Sequence, residues 1–313
     1  MIKLIDIEGR KLEYLIKGDG KKTVVIMPGM GGSIYDWINI TDKISLYAKV
    51  IAIHRAGIGN SELNIEGSNT ATAAKDLNLL LEKLSIEDKV ILVGHSYGGL
   101  CIQNFARMYP EKVDSMILVE SASMYREDKY DELETPVSDK FASDEIYIKL
   151  WKKYSKFSKE QLIEEIKPKL SEASLRLPLN MQNEILEFYV RPEIYKNQLS
   201  EIMDLRNNVK CMDKYGKFPD YPLIILIEDP VYSINEMMEE GIPKIEAERI
   251  EKLSQELSNG LRELSSMSEI RVIKNSNHCI NETRPDAVID AIKELLFTMN
   301  KLEEMIKDRN NII

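Results

Sequence analysis

One stretch in the first third of the chain, Lys89–Leu100, constrains the fold more than any other. A charged residue leads into the apolar run Val90–Val93, then comes the pentapeptide Gly94–Gly98 (GHSYG), and an apolar segment compatible with a helix follows. This order predicts a buried strand, a sharp turn with Ser96 at its apex, and a helix. A strained turn of this kind accepts only small residues two positions before and two after the serine. We therefore expect the Ser96 hydroxyl at the tip of a strand, clear of the sheet.

Elsewhere in the chain, apolar runs typical of strands alternate with segments of helical period. Strands are predicted at Ile2–Ile7, Leu12–Ile16, Thr23–Met27, Ala48–Ile53, Val90–Val93, Ser115–Val119, Leu223–Ile227 and Ile270–Ile273. Most are continuously apolar, which indicates a parallel sheet buried under helices on both faces. The predicted fold class is α/β, with a mostly parallel, doubly wound sheet. Ligands of such sheets bind beyond the carboxyl ends of the strands.

Residues 122–218 break the alternation, because they are highly charged, have helical periodicity and contain no clear strand. We interpret residues 1–121 and 219–306 as the core, 122–218 as a helical lid insertion, and 307–313 as a frayed tail. Helices are predicted at Ile34–Leu46, Thr70–Leu84, Gly98–Tyr109, Ile146–Tyr154, Gln161–Ile166, Met181–Val190, Ile194–Val209, Lys244–Met267 and Pro285–Met305.

Composition removes several classes of function. A net charge of −10 argues against nucleic acid as a partner. The three cysteines, Cys101, Cys211 and Cys279, lack the paired spacing of a disulfide framework or a zinc site, and they suit a reducing compartment. Neither a signal-peptide core nor a membrane span is apparent in the sequence. We expect a cytoplasmic protein that uses no cofactor and no metal.

A serine nucleophile needs a base, and the chain has only three histidines. His95 precedes Ser96, so its side chain should point away from the serine. His54 follows a strand at the active edge and is a possible pocket residue. His278 lies in a polar turn after the last strand and is the best candidate for the base, which places nucleophile before histidine in the chain.

The acid that orients the base is left open between two strand ends. Glu120 ends the strand after the nucleophile strand, and Glu228 and Asp229 directly follow Leu223–Ile227. A carboxylate at the end of an apolar strand needs solvent or a partner, and a histidine would be such a partner. Glu120 and Asp229 are the two leading candidates.

Acyl transfer also needs backbone N–H groups that face the developing oxyanion. One is expected from Tyr97, the residue after the nucleophile. The other is expected from Met30, in the glycine-rich loop Pro28–Ser33 that follows an earlier strand.

Together these segments resemble the α/β-hydrolase fold superfamily, over nearly the whole chain outside the insertion. The resemblance rests on Gly94–Gly99, Pro28–Ser33, Arg55–Ser61, Ala106–Val113 and Asn277–Val288. Three positions depart from the family pattern, with Pro28 for a histidine, His54 for an acid and Asn277 for a glycine. The segment after Leu223–Ile227 departs as well, since it is shortened around Asp229 and the stretch from there to His278 is longer than usual.

The resemblance implies a serine hydrolase that acts through an acyl-enzyme, with a carboxylic ester of apolar acyl part as the first expectation. Some relatives, the dehalogenases and epoxide hydrolases, carry an aspartate nucleophile, and Ser96 argues against both activities. Aromatic and Met side chains of the insertion either line an apolar pocket or, more commonly on such helices, form its own core: Tyr147, Trp151, Tyr154, Phe157, Met181, Phe188 and Tyr189.

Two other functions stay open on the sequence alone. One is an aminopeptidase of the proline iminopeptidase type, in which insertion carboxylates would hold a substrate amine; the candidates are Glu164, Glu165, Glu184 and Glu187. The other is a small-molecule receptor that keeps the fold without turnover.

Overall fold

The computed structural model describes residues 2–124, 129–130, 132–170 and 174–310, with side chains except at 208 and 299–310. Within these ranges one sheet has the strand order β1-β2-β4-β3-β5-β6-β7-β8. Its strands are β1 Ile2–Ile7, β2 Arg10–Lys17, β3 Thr23–Met27, β4 Lys49–His54, β5 Val90–His95, β6 Val113–Val119, β7 Leu223–Ile227 and β8 Ser268–Val272. Strands β3 to β8 are parallel, and β2 is antiparallel to both β1 and β4. The predicted fold class is confirmed.

Helices cover both faces of this sheet. They are α1 Ile38–Ile44, α2 Thr70–Lys83, α3 Tyr97–Met108, α4 Asp139–Ala142, α5 Asp144–Tyr154, α6 Lys159–Ile166, α7 Leu179–Phe188, α8 Pro192–Met212, α9 Pro230–Glu239, α10 Lys244–Gly260, α11 Ile280–Thr283 and α12 Pro285–Asn310. In β3, Val25 and Met27 pack with α2 and α3, whereas Val24 and Ile26 pack with α1 and α12. This alternation follows from the two-residue period of a strand and explains why four consecutive residues of β3, 24–27, are apolar.

The register of the central strands sets the functional edge. Met27 lies opposite Gly94, and His95 lies opposite Val119. In turn, Val119 lies opposite Leu226. The loops that follow β3, β5, β6 and β7 therefore leave the sheet side by side at its carboxyl edge.

Helices α4 to α8 lie between β6 and β7, in the segment expected to be helical. Parts of it form small apolar groups of their own. One contains Leu162, Val190 and Tyr195, and the other joins Phe188 and Ile194 to Ile58 of the core. No helix in the described ranges is long and apolar enough to cross a membrane.

The main difference from the predicted elements is α9, which was not foreseen. It begins at Pro230, directly after Asp229, and it occupies part of the long stretch before His278. The short helices α4 and α11 were not predicted either, and the other differences are at the ends of strands and helices. The helix predicted from Ile34 begins as a 3₁₀ turn, Ile34–Trp37, and α12 continues to Asn310. Residues 311–313 of the predicted tail lie outside the described residues.

Candidate active site

The turn between β5 and α3 has the strained backbone that the sequence predicts. Ser96 has φ 50° and ψ −122°, a combination that costs a non-glycine residue on the order of 1–3 kcal/mol. Its N–H donates to the Val119 carbonyl at 3.2 Å, and its own carbonyl accepts from Ala122 at 3.1 Å. Glycine is required at position 98, because a Cβ atom there would lie 2.2 Å from the Met27 carbonyl oxygen. Position 98 must therefore be small because it lies against the end of β3, and not only because of the strained serine.

The loop after β3 lies directly against this turn. A Cβ atom on Gly29 would be 3.2 Å from Cβ of Ser96 and 2.9 Å from Nδ1 of His95, so only glycine allows the approach. Met30 follows Gly29 and is half-buried. Tyr97 is the first residue of α3, where backbone N–H groups have no partner within the helix. The structure therefore places both predicted oxyanion donors on segments that flank Ser96.

The turn that carries His278 is attached to the same place through His95. His95 donates its Nε2–H to the carbonyl oxygen of His278 at 2.9 Å, and the two ring centroids are 4.9 Å apart. Burial lowers the pKa of His95 to about 4, so its ring is neutral near pH 7. His95 thus anchors the turn, while His278 itself is exposed to solvent.

Glu120 is buried at the end of β6 with a left-handed backbone, φ 39°. Its Oε2 atom accepts the N–H of Glu228 at 2.7 Å, and its own N–H donates to the Leu226 carbonyl at 2.8 Å. Burial first, and then the charges of Glu120 and Glu251, raise the pKa of Glu228 to about 9. Burial next to Glu120 therefore favours the protonated form of Glu228.

Asp229 is the N-cap of α9, and both of its carboxylate oxygens accept backbone N–H groups. Oδ1 accepts from Val231 and Oδ2 accepts from Asn275, each at 3.1 Å. Burial opposes ionisation of Asp229, but these hydrogen bonds and Lys274 bring its pKa below the usual range. The Asp229 N–H donates to the Ser276 carbonyl at 3.2 Å, so this residue holds the turn that precedes His278.

Asn277, in the same turn, is held on its other side by α9. Its Nδ2 donates to both carboxylate oxygens of Glu236, at 2.9 and 3.1 Å, and its Oδ1 accepts the N–H of Cys279 at 3.0 Å. The unforeseen helix α9 therefore supports the turn with Glu236 as well as with Asp229.

His54 is buried beside the site and serves the loop after Pro28–Gly32. The Ile34 N–H donates to its Nε2 at 2.9 Å, so Nδ1 carries the proton and donates to Oε2 of Glu13 at 2.7 Å. Burial lowers the pKa of His54, which keeps the ring neutral for this arrangement. Sequence reasoning missed Glu13. Its signal is a carboxylate at an inward position of β2, directly opposite His54 in the strand register.

The insertion's aromatic residues are mostly engaged in its own packing. Trp151, Tyr154 and Phe157 surround the Leu162 group, and Phe188 packs on the His54 ring at 5.3 Å. Its carboxylates are largely paired with nearby cations: Glu165 with Lys153, Glu187 with Lys159 and Arg191, and Glu184 with Arg191. Among the described residues, no group of three or more His, Cys, Asp or Glu side chains is arranged to hold a metal ion.

Comparison with known proteins agrees with the observed fold. A family model described as alpha/beta hydrolase fold matches residues 22–171. A solved thermophilic esterase from Thermogutta terrifontis superposes with a TM-score of 0.62 at 17% identity, covering 96% of this chain and 99% of that chain. At this identity the likeness is evidence for the fold alone.

Curated relatives match over shorter segments and differ in chemistry. A haloalkane dehalogenase from Sphingobium indicum is 31% identical over 126 residues, which is 39% of this chain and 42% of the relative. The acetyltransferase component of an acetoin cleaving system from Cupriavidus necator is 31% identical over 114 residues, 36% of this chain and 30% of the relative. Across the leading curated matches, the shared segment spans 20% to 42% of the relative's length.

Proposed function

Because the chain belongs to the α/β-hydrolase fold superfamily, we propose that it is a serine hydrolase that cleaves a carboxylic ester with an apolar acyl part. The observation that carries the proposal is the strained backbone of Ser96, φ 50° and ψ −122°, at the junction of a buried strand and a helix. Strain of this size persists where the surrounding structure enforces it, and such positions cluster at active sites.

In the proposed mechanism, Ser96 attacks the ester carbonyl as His278 removes the hydroxyl proton. The alkoxide leaving group then takes that proton from His278, and an acyl-enzyme forms. Water attacks the acyl-enzyme with His278 again as base, which releases the acid and restores the serine. The contact between His95 and the His278 carbonyl supports this assignment, because it attaches the base's turn to the nucleophile's turn.

We assign the third role to Glu120. A buried carboxylate with left-handed backbone at the end of β6 is suited to orient His278 and to stabilise the imidazolium. Asp229 is less suited, because both of its oxygens already accept backbone N–H groups. Because the pKa of Glu228 is raised, an ionised Glu120 would not have a second buried negative charge beside it.

The N–H groups of Met30 and Tyr97 are the proposed oxyanion donors. They flank Ser96 from two separate segments, the loop after β3 and the first turn of α3. Donors of this kind stabilise charge that develops only in the transition state, and losing one costs about 10²–10³ in kcat.

The structure offers less support for an aminopeptidase. Amine recognition would need carboxylates that are not already neutralised, and three of the four candidates pair with lysine or arginine of the insertion. A serine at position 96 also disfavours the dehalogenase chemistry named for one relative. The three cysteines are free, which supports our proposal of a reducing, cytoplasmic location.

The test is hydrolysis of p-nitrophenyl esters from acetate to decanoate by the wild type, Ser96→Ala and His278→Ala. We expect turnover by the wild type and its loss in both variants, together with fluorophosphonate labelling that requires Ser96. Labelling without turnover of any ester or amide would instead favour a receptor. Wild-type turnover equal to that of Ser96→Ala across the series would overturn the esterase proposal.

A further inference from the structure

Arg55 connects the loop after β3 to the insertion. It follows β4 directly, and its guanidinium is buried. Its Nη1 donates to the Pro28 carbonyl at 2.5 Å, and its Nη2 donates to the Gly29 carbonyl at 2.9 Å. One side of the guanidinium fork therefore holds two consecutive carbonyl groups of the loop that flanks Ser96.

The carbonyl of Gly29 and the N–H of Met30 belong to one peptide unit. This peptide bond is trans, so the two groups point in opposite directions in one plane. Fixing the Gly29 oxygen thus fixes the direction of the Met30 N–H. A charged donor on the carbonyl also polarises the peptide and strengthens its N–H as a donor.

The other side of the guanidinium is held by Glu201 of α8. Nε donates to Oε1 at 2.7 Å and Nη2 donates to Oε2 at 3.0 Å, in the two-point geometry that arginine and carboxylate favour. Both side chains are almost fully excluded from solvent, at 4% and 1% exposure. A buried guanidinium needs such a partner, because burial of an unpaired charge is strongly unfavourable.

Two neighbouring residues of α8 contact the same region of the core. Asn197, one turn before Glu201, donates its Nδ2 to the Ala56 carbonyl at 2.6 Å. Gln198 lies over the loop, since a Cβ atom on Gly31 would be 2.3 Å from its Nε2. The N-terminal half of α8 therefore contacts the loop after β3 and the loop after β4.

We propose that Glu201 is a positioning residue of the insertion, which acts through Arg55 to aim the Met30 N–H at the oxyanion. It touches no reacting atom. Its role rests on the proposed serine hydrolase, in which Met30 supplies one oxyanion donor. The insertion then completes the oxyanion hole as well as covering the site.

The first test compares Glu201→Gln with Glu193→Gln, a matched control on the same helix whose carboxylate is exposed and pairs only with Lys196 among the described contacts. For Glu201→Gln we expect kcat on a p-nitrophenyl ester to fall about 10- to 100-fold, with KM changed less than about threefold, because oxyanion donors act in the transition state. Glu193→Gln should match the wild type. A merely structural role would lower the folded fraction without separating kcat from KM.

A second readout does not depend on activity. In protein labelled with ¹⁵N-methionine, the Met30 amide signal, assigned with Met30→Leu among the chain's 14 methionines, should shift in Glu201→Gln and not in Glu193→Gln. If Glu201→Gln does not fold, Arg55→Lys provides the same test, because lysine keeps the charge but cannot hold both carbonyls and Glu201 together.

The outcomes separate the two proposals. Ser96-dependent turnover with unchanged kcat and an unchanged Met30 signal in Glu201→Gln would overturn the positioning role and leave the hydrolase intact. An unchanged kcat and Met30 signal in a folded Arg55→Lys would do the same. If the wild type has no Ser96-dependent turnover, the serine hydrolase fails, and with it the role of Met30 on which this inference rests, whatever the amide signal does.

Discussion

The core and the insertion are held by different kinds of contact. In the core, large apolar clusters fill both faces of the sheet. The insertion has two small apolar groups, one of which includes Ile58 of the core, and its residues Leu177, Met181 and Ile185 pack against a core cluster. The N-terminal half of α8 also meets the core through buried hydrogen bonds and the Arg55–Glu201 pair. The C-terminal half of α8 is different, because Leu205 and Met212 join the core cluster. Apolar packing therefore dominates within the core, whereas the insertion meets the core through apolar contacts together with directional polar ones.

This difference suits the proposed chemistry. Ser96, Glu120 and the turn of His278 all stand on strand ends of the well-packed core, where small displacements are resisted by close packing. The loop after β3, which we propose carries one oxyanion donor, is rich in glycine, and Arg55 connects it to Glu201 of α8. We expect core substitutions to act on stability or on the proton-transfer groups, and substitutions in the N-terminal half of α8 to act on the oxyanion donors.

The largest expected effect comes from the core carboxylate Glu120. Glu120→Gln should lower kcat about 10⁴-fold with little change in KM, the size of effect seen when a triad acid is replaced by its amide. Asp229→Asn is the matched control, since asparagine is also a good N-cap, and it should keep most of the activity. Measured kcat values for the two variants decide the assignment. A collapse of kcat in Asp229→Asn with activity retained in Glu120→Gln would reverse it.

A second comparison tests packing in the two regions. Phe105 of α3 is fully buried in the large core cluster, and Phe105→Ala should cost about 3–5 kcal/mol of unfolding free energy. Phe188 is equally buried but lies in a three-residue group with Ile58 and Ile194, so we expect a smaller loss from Phe188→Ala. Urea unfolding of both variants measures the difference. An equal loss would mean that the insertion is packed as firmly as the core.

The sequence predicts the fold, and with it the loops that meet at the carboxyl edge of the sheet, because these depend on local signals. Each apolar run, its period and the GHSYG pentapeptide can be recognised within a short stretch of consecutive residues. The Arg55–Glu201 pair joins positions 146 residues apart, and Glu201 has no local feature that separates it from the solvated acids of the insertion. The same reason explains Glu13, which meets His54 only through the strand register. The helix α9 was missed although Asp229 followed by Pro230 is a helix start signal, because Asp229 was interpreted as the end of a strand.

The choice between Glu120 and Asp229 could not be made from sequence for a related reason. Both follow apolar strands, and each has the carboxylate that a triad acid needs. What distinguishes them is the use of their carboxylate oxygens. Asp229 accepts the N–H groups of Val231 and Asn275, and the partner at Asn275 becomes visible only when β8 and its turn are placed beside β7.

The smallest expected effect is a pH response that should come from the core rather than from the insertion. The pKa of Glu228 is raised by burial to about 9, above its ordinary value of 4.5, so the folded state binds a proton that the unfolded state releases between these values. Its contribution to stability is complete below about pH 4.5 and is lost as pH rises toward 9.

Glu228→Gln is uncharged at every pH, so it should raise Tm relative to the wild type more at pH 8.5 than at pH 5. Its kcat should stay within about threefold of the wild type, because the contact to Glu120 is made by the backbone N–H of residue 228, which glutamine keeps. The control is Glu187→Gln in the insertion, whose exposed carboxylate has a pKa lowered by Lys159; solvent screens that pair, so its Tm difference should be small at both pH values. A Tm difference for Glu228→Gln that is the same at both pH values would mean that Glu228 is ionised in the folded core, and Glu120 would then share its site with a second negative charge.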